Sequence, residues 1–80
     1  MEYESILQKI ITLAGEQFPD EREKIEGQTT ATDISAWNSL THVMLIDRIE
    51  KSFGVKFELL QMVEMLSIEN IARATHEMLS

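Results

Sequence analysis

The sequence predicts an all-α fold: a small four-helix bundle of three main helices and one short helix, with a long loop between the first and second. Three observations carry this. Apolar residues recur at three- and four-residue steps in three separate stretches. Residues suited to helix ends stand at the margins of those stretches. No stretch of useful length alternates as a strand does. The 80 residues leave room for a single domain, 1–80, and the 44% hydrophobic content is that of a globular chain.

The first helix is expected over about Tyr3 to Ala14, where Tyr3, Ile6, Leu7, Ile10, Leu13 and Ala14 form one face. Gly15 is placed as its stop. From Glu16 to Asn38 the periodicity is lost. Loops of this length in compact domains are functional or pinned by their own side chains. Phe18, Ile25, Ile34 and Trp37 are the expected pins, with a short helical turn near Glu21 to Ile25. The charged cluster Asp20 to Lys24 reads as a solvated face.

The second main helix is expected at Ser39 to Phe53, with Val43, Leu45, Ile46, Ile49 and Phe53 as its apolar stripe. Asn38 or Ser39 is its N-cap, because a short polar side chain accepts from free backbone N–H groups. Gly54 follows as a C-terminal stop. Val55 to Phe57 is an extended connector, and Leu59 to Met65 a short, unusually apolar helix, part of which must stay exposed or meet a partner. Ser67 caps the last helix, whose expected buried stripe is Ile68, Ile71, Ala72, Thr75, Met78 and Leu79.

Composition excludes several classes of function. The chain has no cysteine, hence no disulfide framework and no thiolate metal site. Its 14 acids against 7 bases give a net charge of −7, which disfavours nucleic acid and anionic membranes as partners and favours basic protein surfaces. The start at Met1-Glu2-Tyr3-Glu4 lacks the basic region of a signal peptide, and no apolar run reaches the length of a membrane span. A cytoplasmic monomer without membrane insertion is expected.

Ser39 is the residue that points to chemistry. At the first turn of a helix its hydroxyl faces solvent and the positive end of the helix dipole, a position suited to carrying phosphate. The same position suits a simple cap, and position alone does not separate the two roles. Ser39 and His42 share a helix face, and Asp33 or Asp47 would complete a Ser-His-Asp inventory. Nothing surrounding them resembles a nucleophile elbow or an oxyanion hole, so no catalytic residue is assigned. His42 is expected to be a solvated neighbour of Ser39, and His76 an exposed residue of the last helix. No metal-ligand spacing is present, and Asp20 to Glu26 lacks the pattern of a calcium-binding loop. Met65 and Met78 read as core fillers, whereas Met44 and Met62 fit equally a core or an adaptable pocket. Trp37 either anchors the loop or shields a group carried on Ser39, with anchoring preferred.

Taken in order, three pieces resemble the acyl carrier proteins, the phosphopantetheine-binding carrier family. Asn38-Ser39-Leu40 opens the second helix; Glu50 with Phe53-Gly54-Val55 closes it; Ser67-Ile68-Glu69-Asn70-Ile71 opens the last. The order of elements agrees as well, and the resemblance covers nearly the whole chain. It implies a non-enzymatic carrier: a phosphopantetheinyl transferase places 4′-phosphopantetheine covalently on Ser39, and the arm's thiol holds acyl cargo as thioesters for acyl-loading and acyl-processing enzymes. An aminoacyl or peptidyl carrier shares this chemistry. A helical interaction module without cofactor is the reading from another class. The resemblance also implies a docking face on the second helix, here Leu40, Thr41, Met44, Asp47 and Glu50. Two departures mark the chain. Asn38 stands where the family usually has aspartate, and an amide oxygen is a weaker ligand for the hard cation of the loading step. Asp47 and Glu50 are offset by Arg48 and Lys51, so the docking helix is nearly neutral. Both point to a specialised carrier with dedicated partners rather than the housekeeping one of fatty-acid synthesis.

Overall fold

The computed structural model describes residues 2–80. Four α-helices run in order: α1 Tyr3–Gln17, α2 Ser39–Phe53, α3 Leu59–Glu64 and α4 Ile68–Leu79. Two short 3-10 turns, Pro19–Lys24 and Ala31–Asp33, lie in the segment between α1 and α2. No strand occurs among the described residues beyond one isolated bridge, Thr30 to Ser67. The all-α bundle of three main helices and one short helix is thus the observed architecture.

α1 packs against α4, α2 and the first 3-10 turn. Its buried residues Ile6, Ile10 and Ala14 are four apart, as one face of a helix requires. α2 contributes Leu45, Ile46 and Ile49, and α4 contributes Ile68, Ile71, Ala72, Ala74 and Thr75. Thr75 is wholly buried without cost in unpaired polar atoms, because its hydroxyl donates to the Ile71 carbonyl at 2.8 Å. All four expected loop pins, Phe18, Ile25, Ile34 and Trp37, join this one core.

Several sequence expectations shift. Gly15 does not stop α1, which continues to Gln17. Gly15 lies instead where Arg22 folds back over the helix: the Arg22 Nε donates to the Gly15 carbonyl, and an added Cβ would stand 3.1 Å from the Arg22 side chain. Gly54 does end α2, with φ at 69° in the left-handed region and its N–H bonded to the Glu50 carbonyl at 2.8 Å. Met78 and Leu79 are exposed, so Met78 is no core filler; the buried stripe of α4 ends at Thr75. Val43 on α2 is likewise exposed, and its place inside is taken by His42.

The segment after α1 is tied down by polar groups as well as apolar pins. The buried Thr29 hydroxyl donates to the Lys24 carbonyl at 2.8 Å and accepts from the Glu26 N–H at 2.9 Å. Carbonyls of Thr29 and Gly27 accept from the N–H groups of Ile68 and Glu69, the otherwise orphaned donors at the start of α4. The Ala31 N–H bonds the Leu66 carbonyl at 2.9 Å. The segment is therefore a second layer of the bundle that supplies partners to α4. Ile46 stands at the centre of the core, fully buried on α2. Ile46→Ala is expected to cost about 2–5 kcal/mol of unfolding free energy, read by chemical denaturation.

Candidate functional site

Three local devices set the start of α2, where Ser39 stands. The first is the cap. Asn38, not Ser39, is the N-cap: its side-chain oxygen accepts from the Leu40 and Thr41 N–H groups, both at 3.0 Å. Thr41 returns the contact by accepting from the Asn38 N–H at 2.9 Å, and its hydroxyl donates to the Ala36 carbonyl at 2.6 Å. This reciprocal capping box takes the Thr41 N–H, one of the donors that a Ser39 cap would serve. The Ser39 hydroxyl is exposed and makes no hydrogen bond among the described residues.

The second device is Glu21. Its carboxylate accepts from the Ser35 hydroxyl at 2.7 Å, the Ser35 N–H at 3.2 Å and the Ala36 N–H at 3.2 Å. The charged cluster is thus not wholly a solvated face: Asp20, Arg22, Glu23 and Lys24 are exposed, but the Glu21 side chain is 14% exposed and clamps the turn two residues before Asn38. Donation from the Ser35 hydroxyl and then its N–H, helped by Ala36 and Lys24 and opposed by desolvation, lowers the Glu21 carboxyl from 4.5 to about 2.

The third device is Trp37. Its ring stacks on Phe18 with centroids 5.6 Å apart, and its indole N–H donates to His42 Nδ1 at 2.9 Å. His42 Nε2 lies 2.8 Å from the Met62 carbonyl. His42 is only 7% exposed, which corrects the expectation of a solvated neighbour. Both ring nitrogens are engaged away from Ser39, so no Ser39–His42 proton relay is formed. His76 is half-buried, edge-on to Tyr3 at 6.0 Å, and distant in role from Ser39. Trp37 is an anchor, and it also forms part of the wall beside Ser39.

That wall belongs to an open groove of about 460 Å³ with Ser39 at its rim. Trp37, His42, Val43, Leu59, Met62 and Val63 line it, so α2 and α3 form its two sides. Met62, half-buried, is a groove residue packed against the core, whereas Met65 is a core residue. α3 buries none of its own residues, and its Met62 carbonyl meets His42 of α2.

The residues placed on the docking face separate into two kinds. Leu40, 71% exposed, Met44 and Asp47 point outward along α2, with Asp47 paired to Lys51 at 2.9 Å. Thr41 is occupied by the capping box. Glu50 turns inward: its side chain is 11% exposed, and its carboxylate accepts from the Phe57 N–H at 2.7 Å, holding the connector to α3. On α3, Leu59 and Leu60 are 73% and 74% exposed, continuing the apolar surface of Leu40, Val43 and Met44. His42 and Glu21 were missed by sequence reasoning. A histidine at the buried i+3 position of a capped helix, five residues after a lone tryptophan, was the available signal for the first; Glu21 gave none.

No model of a known protein family matches the chain, and no curated protein matches it. Among the described residues no helix is long and apolar enough to cross a membrane.

Asn38→Ala is expected to lower stability by about 1 kcal/mol, while Ser39→Ala stays within roughly 0.5 kcal/mol of the parent, both read by urea denaturation. The reverse ranking would move the cap to Ser39. The Glu21 clamp stabilises fully above the unfolded carboxyl value of 4.5 and is lost as pH falls toward about 2, because the unfolded chain takes up the proton first. Glu21→Gln should remove that part of the acid dependence, seen as a shallower loss of stability than the parent across the same range.

Proposed function

We propose that the chain is an acyl carrier protein, with Ser39 the attachment point of a covalent 4′-phosphopantetheine arm and no catalysis of its own. The observation that carries this reading is the division of labour at the start of α2. Asn38 does the capping, which leaves Ser39 with a free, exposed hydroxyl on a rigid helix turn at the rim of an apolar groove. A serine present only as a cap would accept from the N–H groups two and three residues on, Thr41 and His42, and these go to the Asn38 side chain and carbonyl instead.

Loading is a phosphoryl transfer. The Ser39 Oγ bonds to the pantetheine-side phosphorus of coenzyme A, the bond to the adenosine bisphosphate oxygen breaks, and the hydroxyl proton passes to the transferase. The Leu40 and Thr41 N–H groups are already taken by Asn38. What favours the resulting phosphodiester is therefore the dipole of α2, worth roughly 0.3–1 kcal/mol. The arm supplies the thiol that a chain without cysteine lacks. The tether keeps cargo at high effective concentration for docked enzymes.

The apolar lining of the groove favours acyl over aminoacyl cargo, because a charged or amide-bearing group buried there finds few hydrogen-bond partners. The partner enzymes dock on Leu40, Met44 and Asp47, extended by Leu59 and Leu60. With Asp47 and Arg48 already paired within the chain, docking leans on apolar contact more than on generic attraction to basic patches. This suits a specialised carrier with dedicated partners. The second reading, a helical interaction module without cofactor, draws on the same exposed apolar face.

Intact mass separates the two. Incubation with coenzyme A and a broad-specificity phosphopantetheinyl transferase is expected to add one phosphopantetheine, and Ser39→Ala to add none. No adduct with any of several transferases would leave the interaction module standing.

A further inference from the structure

The charges beside the exposed apolar face divide by helix. On α2 each has a partner of opposite sign: Asp47 with Lys51 at 2.9 Å, Arg48 with Glu16 at 3.5 Å and Glu50 with Lys56 at 3.9 Å. α3 differs. Its residues Leu59–Glu64 include no base. The acids at its two ends, Glu58 and Glu64, are exposed, and neither side chain forms an ion pair or hydrogen bond among the described residues.

Fold stability accounts for one of these acids and not for the other. Glu58 stands at the positive end of the α3 dipole, where a carboxylate is favoured. Glu64 stands at the negative end, where a carboxylate is disfavoured, and no cation pairs with it. It shares a helix face with the exposed Leu60, four residues before it. Leu59 and Val63 of α3 and Leu40 and Val43 of α2 are exposed beside them. The surface is thus an apolar centre with uncompensated negative charge at its rim.

That combination selects among occupants. A second copy of the chain would bring the same two acids to the contact, on a molecule of net charge −7. An anionic lipid surface meets the same repulsion. An apolar surface with a cationic rim meets none. We propose that α3 is the selecting part of the docking face, and that its partner is a protein surface whose apolar ridge is flanked by Lys or Arg side chains meeting Glu58 and Glu64. The apolar centre carries the affinity, while the two acids orient the partner and reject apolar surfaces of the wrong charge. Selection by α3 rests on the docking face of the carrier reading, and it operates with or without an arm on Ser39.

The test titrates the unmodified full chain, labelled with nitrogen-15, with two synthetic helical peptides that share one leucine stripe. One peptide carries lysines at the flanks of the stripe, and the other carries glutamates there. The lysine peptide is expected to shift the amides of α3 and of the first turns of α2, and to bind about tenfold more tightly than the glutamate peptide. Its affinity should fall several-fold as salt rises from about 0.02 to 0.3 M. Glu58→Gln combined with Glu64→Gln should weaken it about three- to tenfold. Glu2→Gln combined with Glu77→Gln removes the same charge from exposed positions at the start of α1 and the end of α4, and should leave it within about twofold. Equal binding of the two peptides, shifts centred away from α3, or equal losses in the two double variants would overturn the proposal. So would a doubled mass in solution, which gives the face to a second copy, or α3 amides that respond to phosphatidylcholine vesicles and not to the lysine peptide. Should the Glu58 and Glu64 double variant fail to fold, the two peptides and the salt dependence decide on the parent chain. An absent phosphopantetheine adduct removes the carrier reading and leaves every one of these binding outcomes in place, so the two failures are told apart.

Discussion

A tryptophan can be buried only where its indole N–H finds an acceptor, and in this chain the acceptor is one nitrogen of His42. Much of the arrangement around α2 follows from that pairing. Trp37 is the last apolar anchor of a long segment that has left α1 and must be delivered to the start of α2. With Phe18 under one face and His42 at its edge, the indole fixes where the segment ends. Asn38 then falls in place to accept from two backbone donors, and Ser39 is carried to the rim of the groove. The histidine's second nitrogen reaches Met62, so the same side chain sets the position of α3.

The segment between α1 and α2 solves a second problem. A helix start leaves N–H groups without partners, and a bundle this small has few side chains to spare for them. The carbonyls of Gly27 and Thr29 serve Ile68 and Glu69, while Thr29 uses its own hydroxyl to satisfy the turn that presents them. Glu21 does the same for the turn at Ser35 and Ala36. Such a segment is long because it is a structural layer, and its irregular backbone reflects the donors it must meet.

How far the sequence was readable varies with the range of the interaction. The bounds of α2, the left-handed Gly54, the Ser67 cap and the four apolar pins depend on spacing and local backbone chemistry, and each stands where the residue pattern puts it. Gly15 misled because a glycine near a helix end serves as a stop in one context and as clearance for a crossing side chain in another; Arg22 decides between them. His42 misled because its burial depends on Trp37 and Met62, neither of which is on its own helix. Met78 and Leu79 have the right period for a core, but the period says nothing about whether another element extends far enough to cover them. Of the residues expected on a docking face, Leu40, Met44 and Asp47 are readable as outward positions, whereas Glu50 is turned inward by a connector N–H that no helical pattern reveals. The exposed serine was legible; that its hydroxyl is spared from capping was not, because Asn38 and Ser39 are equally good caps on paper.

The choice of an amide at the cap carries a consequence of its own. A carboxylate in that position would weaken its grip on the backbone each time it took up a proton. Asn38 has no proton to take up, so the cap itself does not titrate, while the Glu21 clamp on the turn before it is lost in acid. The molecule thus sets a cap indifferent to its medium beside a clamp that is not.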